Sequence, residues 1–236
     1  MLKKNYLIII PARAGSTELK NKNLRKINGI PLINFSINFA LKIKLKKKDR
    51  NICVTTNSLW VIKNCKKFKS IELIRRPNKI SKNISRDLEY VNHSLQYYKK
   101  KNFFFKNIII LRPTSPVRSQ NMIDRALKLF KRKNADSLKT LYPTKETPYK
   151  TWTLEKENFI NNAASCSIFD FHNAPRQILP KTFHQTGTLD ILKVNFKTKL
   201  KSYSGRKILG LVISKKESMD IDTLEDLNNF KKSIKK

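Results

Sequence analysis

Two rhythms of apolar and polar positions alternate along this chain. Short, mainly apolar runs read as strands: Tyr6–Ile10, Asn51–Thr55, Ile71–Ile74, Asn107–Leu111, Ala135–Leu141 and Lys207–Ile213. Between them lie longer stretches with apolar residues at helical spacing. Leu32, Phe35, Ile37, Phe39 and Leu41 run through the first, with Pro31 suited to its first turn. Ser58 is a candidate cap for a helix reaching about Phe68. Ser85–Lys100 carries Leu88, Val91 and Leu95 on one face, and the stretch capped by Ser119 carries Ile123, Ala126, Leu127 and Phe130. Met219–Leu227 leads into a final short helix. The branched run Asn107–Leu111 suits a central parallel strand covered on both faces.

This order of strand and helix predicts an α/β fold: a Rossmann-like, mostly parallel sheet with helices on both faces. The rhythm fails over residues 142–184, where Pro143, Pro148, Pro175 and Pro180 interrupt short mixed segments. We expect one domain over 1–236, with 142–184 as an inserted excursion that forms an arm. Thr186–Asn195 fits either a helix or a strand, and the tail Lys231–Lys236 is expected to fray.

Composition narrows the class. The 236 residues are ample for a core, and no apolar run nears the roughly 18 residues that span a bilayer. Lys3 and Lys4 precede an apolar run, Leu7–Pro11, that is too short for a secretory signal. The expectation is a cytoplasmic protein without membrane insertion. Cys53, Cys65 and Cys166, and His93, His172 and His184, are scattered and show no zinc spacing. Lys and Arg number 51 against 17 Asp and Glu, a net charge of +34. Such an excess raises nucleic-acid binding as a function. Here the lysines are spread over nearly every segment, and aromatic residues are not interleaved with them as stacking platforms. The charge therefore points to anionic small ligands, with binding of nucleic acid or another anionic polymer as the alternative.

Candidate chemistry concentrates in three places. The apolar run Leu7–Ile10 breaks at Pro11 into a polar loop holding Arg13, Gly15, Ser16, Thr17, Lys20, Lys22 and Asn23. A strand that empties into a Gly-containing basic loop is how α/β proteins often cradle phosphate. The segment Arg112-Pro-Thr-Ser-Pro-Val-Arg118 follows the central strand, and Asp220 and Asp222 follow the last one. Ligands of open α/β sheets sit at these carboxyl ends. Each place also has a plainer reading. The basic residues of the first loop can be merely solvated. Arg112 can form an ordinary salt bridge. Asp222 or Thr223 can cap the last helix with Glu225 or Asp226.

The loop Pro11-Ala-Arg-Ala-Gly-Ser-Thr-Glu-Leu-Lys-Asn-Lys-Asn23 resembles the signature of the acylneuraminate cytidylyltransferase family, the CMP-sialic acid synthetases. The resemblance continues, in family order, through Gly29-Ile-Pro-Leu32, Val54-Thr-Thr-Asn-Ser58, Arg76-Pro77, the Arg112–Arg118 segment, Ala135-Asp-Ser137 and Asp220-Ile-Asp-Thr-Leu-Glu-Asp226. It implies a fold of the nucleotide-diphospho-sugar transferase type and a transfer of CMP from CTP to an acidic sugar, with pyrophosphate released. It also implies Mg²⁺ on Asp220 and Asp222, and a homodimer joined by the arm. Arg13 and Lys22 match the family's basic positions and would act in catalysis. Ala12, Arg13, Gly15, Ser16, Lys22, Asn23 and Arg76 would bind the nucleotide. Arg112, Thr114, Ser115, Gln185 and Thr186 would line the sugar-acid site.

Four departures stand out. Thr17 occupies a position where the family commonly has Lys, and Asn57 one where it has Asp. Arg112 replaces a frequent Gln, and Gln185-Thr-Gly-Thr-Leu-Asp190 replaces an Asn-Gly-Ala-Ile-Tyr-Ile element. They fall more on the sugar side than on the nucleotide side, so an acceptor other than N-acetylneuraminate, such as a related nonulosonic acid, fits as well. A non-catalytic member of the family is the remaining alternative.

Overall fold

A computed structural model describes residues 1–16, 18–144, 146–195 and 199–233. Its strands are β1 (Leu2–Pro11), β2 (Lys26–Ile27), β3 (Ile30–Pro31), β4 (Arg50–Thr56), β5 (Glu72–Arg75), β6 (Phe103–Ile110), β7 (Ser137–Pro143), β8 (Trp152–Leu154), β9 (Ile160–Asn162), β10 (Phe183–Lys193) and β11 (Ile208–Val212). Its helices are α1 (Leu32–Lys42), α2 (Leu59–Cys65), α3 (Asp87–Lys100), α4 (Gln120–Lys133) and α5 (Leu224–Ser233). Seven strands form one sheet in the order β11-β7-β10-β6-β1-β4-β5. β1 pairs in parallel with both β4 and β6, and β10 runs antiparallel between β6 and β7. No described helix is long and apolar enough to cross a membrane.

Period-2 alternation along the central strands divides the core. Ile8 and Ile10 of β1 join Ile109 of β6 on one face, covered by Ile33 and Ile37 of α1, Val61 of α2 and Ile123 and Ala126 of α4. Leu7 and Ile9 join Ile108 and Ile110 on the other face, covered by Tyr90, Val91 and Tyr98 of α3. Buried on both sides, these strands read as unbroken apolar runs. The expected helices on both faces are present.

Local chemistry sets the element ends. Ser58 and Ser119 cap α2 and α4 by accepting from the backbone N–H groups of Val61 (3.3 Å) and Met122 (3.1 Å). Arg50 at the start of β4 reaches back to the carboxyl end of α1 and donates to the carbonyls of Ala40, Leu41 and Ile43, satisfying acceptors that the helix leaves orphaned. Asn28 and Gly29, both at positive φ, form the two-residue turn between β2 and β3.

One ambiguity is settled and one expectation needs correction. The ambiguous Thr186–Asn195 is a strand, inserted antiparallel at the middle of the sheet, and Lys207–Ile213 contributes a largely exposed edge strand rather than a buried one. Residues 142–184 do not all leave the sheet: Tyr142 and Pro143 remain in β7, paired with His184 and Phe183 of β10. Within them β8 and β9 form a small antiparallel hairpin, and Trp152, Leu154, Phe159, Ile160 and Phe169 are exposed. Of the tail, residues 234–236 lie outside the described residues.

Ile109 is fully buried at the centre of the sheet, where few atoms can relax into a cavity. Ile109→Ala should lower the unfolding free energy by about 2–5 kcal/mol, read from the midpoint of a urea titration at unchanged slope.

Candidate active site

A cleft of about 340 Å³ opens at the carboxyl ends of β1, β5 and β6. Arg13, Lys22, Arg76, Arg86 and Arg112 line it, opposed by the carboxylates of Glu18, Asp87 and Asp222. Five cations against three anions leave an excess that suits a polyanion.

The first loop leaves β1 where the backbone N–H of Ala12 still donates to Thr55, at 3.0 Å. Ala12 is buried and ends the strand rather than lining the cleft. The Ala14 N–H then donates to Asn57 Oδ1 at 2.8 Å, so the side chain after β4 fixes the loop's path. An amide oxygen suffices for this bond, so the change from Asp to Asn retains the anchor. Gly15 sits at φ +80°, the left-handed region that disfavours other residues. Its carbonyl accepts from Arg13, whose guanidinium also donates to Asn83 at 2.7 Å. The buried Asn23 donates to the Arg13 carbonyl at 3.1 Å, tying the two ends of the loop together. Thr17 lies outside the described residues.

A separate apolar cluster couples this loop to the acidic segment. Leu19 packs with Ile27, Leu32, Ile221, Leu227 and Phe230. Ile221 is fully buried, while its neighbours Asp220 and Asp222 are exposed, as expected of alternating residues in an extended segment. Lys22 Nζ stands 2.5 Å from Asp222 Oδ1, bridging 200 positions of sequence. The capping question is resolved as well. Thr223 Oγ1 accepts from the Asp226 N–H, and Asp226 Oδ2 accepts from the Asp222 and Thr223 N–H groups and from the Thr223 hydroxyl. The cap of α5 is therefore Thr223 with Asp226, and the Asp222 carboxylate is left for Lys22. Among the described residues no cluster of three or more His, Cys, Asp or Glu side chains forms a metal cage. Two exposed carboxylates suit a hard cation that takes its other oxygens from water and a phosphate ligand.

Arg76 is buried beneath the cleft, donating to the Thr55 side chain and carbonyl, with its guanidinium carbon 4.6 Å from the centre of the Tyr90 ring. Burial pushes its pKa down to about 10. Tyr90 also lines the cleft, and its buried hydroxyl has no hydrogen-bond partner among the described residues.

Thr114 lines the cleft, and its carbonyl accepts from the Ile221 N–H, a second link to the acidic segment. Ser115 is fully buried, and its hydroxyl donates to Asp220 at 3.3 Å. Arg112 is already engaged. Nη1 donates to Asp190 at 2.7 Å, while Nη2 donates to Asp87 at 2.5 Å and to the Tyr203 hydroxyl at 3.2 Å. Burial works against its charge, but the carboxylates of Asp190 and Asp87 and the neighbouring tyrosine hydroxyls outweigh this and hold its pKa well above the ordinary value. Arg118, partly buried, brackets the same loop by donating to the Arg112 and Thr188 carbonyls and to Ser36, and burial pulls its pKa down to about 9.

The structure does not bring Gln185 and Thr186 to the cleft. Gln185 is exposed, and the buried Thr186 hydroxyl donates to Thr140 at 2.7 Å. A register shift between Gln185 and Asp190 turns the strand, so the element reaches the site through Gly187 and Asp190 instead. A Cβ at Gly187 would come within 2.9 Å of Ser115 Oγ and 3.5 Å of Asp220 Oδ2. Asp190, Tyr203, Tyr90 and Asp87 carried no motif signal of their own. A lone Asp inside a run of Leu, Ile and Val is the one cue that pointed to a buried, paired carboxylate at 190.

Residues 7–170 match a family model described as cytidylyltransferase. The chain belongs to the cytidylyltransferase family. It is 25% identical over 221 residues to the post-translational flagellin modification protein B of Campylobacter coli, covering 92% of this chain and 89% of the relative. It is 24% identical over 227 residues to the N-acylneuraminate cytidylyltransferase of Escherichia coli O18:K1:H7. That match covers 95% of this chain and 51% of the relative, so the chain spans about half the length of that protein. Among solved structures, a CMP:2-keto-3-deoxy-manno-octonic acid synthetase complexed with CTP superimposes with a TM-score of 0.70 at 14% identity, covering 98% of this chain and 99% of the other. That likeness establishes a shared fold for this cytidylyltransferase.

Removing one member of a buried ion pair leaves the other uncompensated. Arg112→Met should therefore destabilise the fold by about 3–5 kcal/mol. Asp190→Leu added to it should restore most of the loss, giving a large coupling in a double-mutant unfolding cycle.

Proposed function

We propose that this chain transfers CMP from CTP to an acidic sugar of the nonulosonic type and releases pyrophosphate. The observation that carries the reading is the cleft itself. A basic, glycine-bent loop after β1, a buried Arg76 and an acidic segment after β11 converge on one concavity, in a chain of this family. An acceptor hydroxyl oxygen attacks the α-phosphorus, the bond to the bridging oxygen of the β-phosphate breaks, and the hydroxyl proton is lost. The step needs in-line positioning and positive charge on the phosphates, with little covalent help from protein.

Arg13, Lys22 and the backbone N–H groups near Gly15 and Ser16 are assigned to the triphosphate, and Arg76 with Asn23 to the nucleotide's surroundings. Lys22 is held by Asp222 and is only 14% exposed, so it is oriented before ligand arrives. Asp220 and Asp222 would hold a divalent cation, assigned as Mg²⁺ from their oxygen-only donor set. Such an ion, when bound, offsets negative charge on the phosphates. Ser115 donates to Asp220, and Gly187 leaves the space beside this pair free of a side chain. Arg112 and Thr114 face the acceptor end. The exposed apolar hairpin of the excursion is assigned to a homodimer contact, and the working compartment to the cytoplasm.

The purified protein should release pyrophosphate from CTP with a divalent cation and at least one member of a panel of nonulosonic acids, followed by a coupled phosphate assay. Absence of release from folded protein across the panel would overturn the reading. Lys22→Met and Asp220→Asn should each lower kcat by about 10²–10³-fold, as loss of a charge-stabilising group does, while the circular dichroism spectrum stays unchanged. Chelation of divalent ions should abolish turnover and their return should restore it.

A further inference from the structure

Arg112 is built as a seat for a carboxylate, and this chain fills the seat itself. Its guanidinium is anchored at the back by Asp190, which is fully buried, and by Tyr203, whose hydroxyl donates to the same Asp190 oxygen at 2.7 Å. Arg118 fixes the backbone beneath it by donating to the Arg112 carbonyl. These contacts from β10, the 199–206 segment and the Arg112–Arg118 loop set the orientation of the fork. Nη2, which also donates to the Tyr203 hydroxyl at 3.2 Å, holds the carboxylate of the cleft-lining Asp87.

Asp87 differs from Asp190 in every respect that matters for exchange. Its side chain is 41% exposed against 0% for Asp190. It lines the cleft, which Asp190 does not. It is the first residue of α3, where the helix N-terminus stabilises a carboxylate whether or not Arg112 is its partner. Releasing Asp87 from Arg112 therefore leaves it solvated and favourably placed. Releasing Asp190 would strand a buried charge.

We infer that Asp87 is a placeholder on Arg112: the acceptor's carboxylate displaces it to pair with the Nη2 arm, so that Asp87 sets the threshold of acceptor affinity. The inference rests on the proposed function, because it takes the acceptor to be a sugar acid. A carboxylate-for-carboxylate exchange leaves the local charge balanced, whereas a neutral sugar in the same place would break the Arg112–Asp87 pair and offer no charge in return. The pair thus discriminates against uncharged acceptors by the cost of an unpaired cation, a penalty rather than an attraction.

Steady-state kinetics on the intact protein test this, with a sugar acid that the wild type turns over and with its methyl ester. Asp87→Asn removes the competing charge and keeps the side chain's shape. The KM for the sugar acid should fall about three- to fivefold, the range that a partly exposed ion pair supports. The KM for CTP should move less than twofold. Asp87→Ala should give the same direction. The KM of the ester should not show that fall, because it brings no carboxylate to the vacated arm. An unchanged or raised KM for the sugar acid in both variants would overturn the inference, as would an equal gain for the ester. If the wild type itself releases no pyrophosphate with any acid of the panel, the functional reading fails first. That outcome is distinct from active enzyme whose acceptor KM ignores Asp87.

Discussion

The site depends on one small apolar cluster. Leu19 of the first loop and Ile221 of the last connection are buried in it together with residues of α1 and α5. Neither residue carries chemistry. Their packing nevertheless brings Lys22 and Asp222, 200 positions apart, to within ion-pair distance. The bond from the Ile221 N–H to the Thr114 carbonyl adds the third loop to the same junction. A surface ion pair alone contributes little and could not order two loops. A buried leucine and isoleucine contribute more and need no fixed hydrogen-bond geometry. The polar groups at the cleft are thus positioned by an apolar cluster just beneath them.

The sheet explains why these loops meet at all. Parallel β1, β4, β5 and β6 all end on one side, so Arg13, Asn57, Arg76 and Arg112 emerge as neighbours. Asn57 then holds the loop after β1 through the Ala14 N–H, and Thr55 anchors Arg76. Each loop is fixed by its neighbour's strand end. The antiparallel β10 is the exception that makes the acceptor side different. Running the other way, it delivers Asp190 from the middle of a strand, inside the core, as a buried counter-charge for Arg112.

Charge on this protein works at two scales. The net charge of +34 is diffuse and sets a general preference for anions. The cleft and its surroundings are local and mixed, with carboxylates held in specific pairs: Asp222 with Lys22, Asp226 in the cap of α5, Asp190 and Asp87 with Arg112. Arg76 and Arg118 have no carboxylate in ion-pair contact among the described residues, and burial draws their pKa values down.

The sequence by itself determined the α/β class, the order of strands and helices, the basic loop and the acidic pair. Those features are local: a period of two or 3.6, a glycine at a bend, a charged residue one step past an apolar run. The tertiary structure decided what those patterns cannot encode. Thr186–Asn195 was ambiguous because a strand buried on both faces has no alternation to reveal it. The cap at α5 belonged to Thr223 and Asp226 rather than Asp222 because Lys22, distant in sequence, claimed the third carboxylate. Gln185 and Thr186 fell away from the cleft through a register shift that a strand pattern does not show. Arg112 read as a sugar-acid contact or an ordinary salt bridge with no partner named, because its partners, Asp87, Asp190 and Tyr203, lie 25, 78 and 91 positions away. Pairing between distant residues is set by how the sheet is threaded, and only the folded chain carries that information.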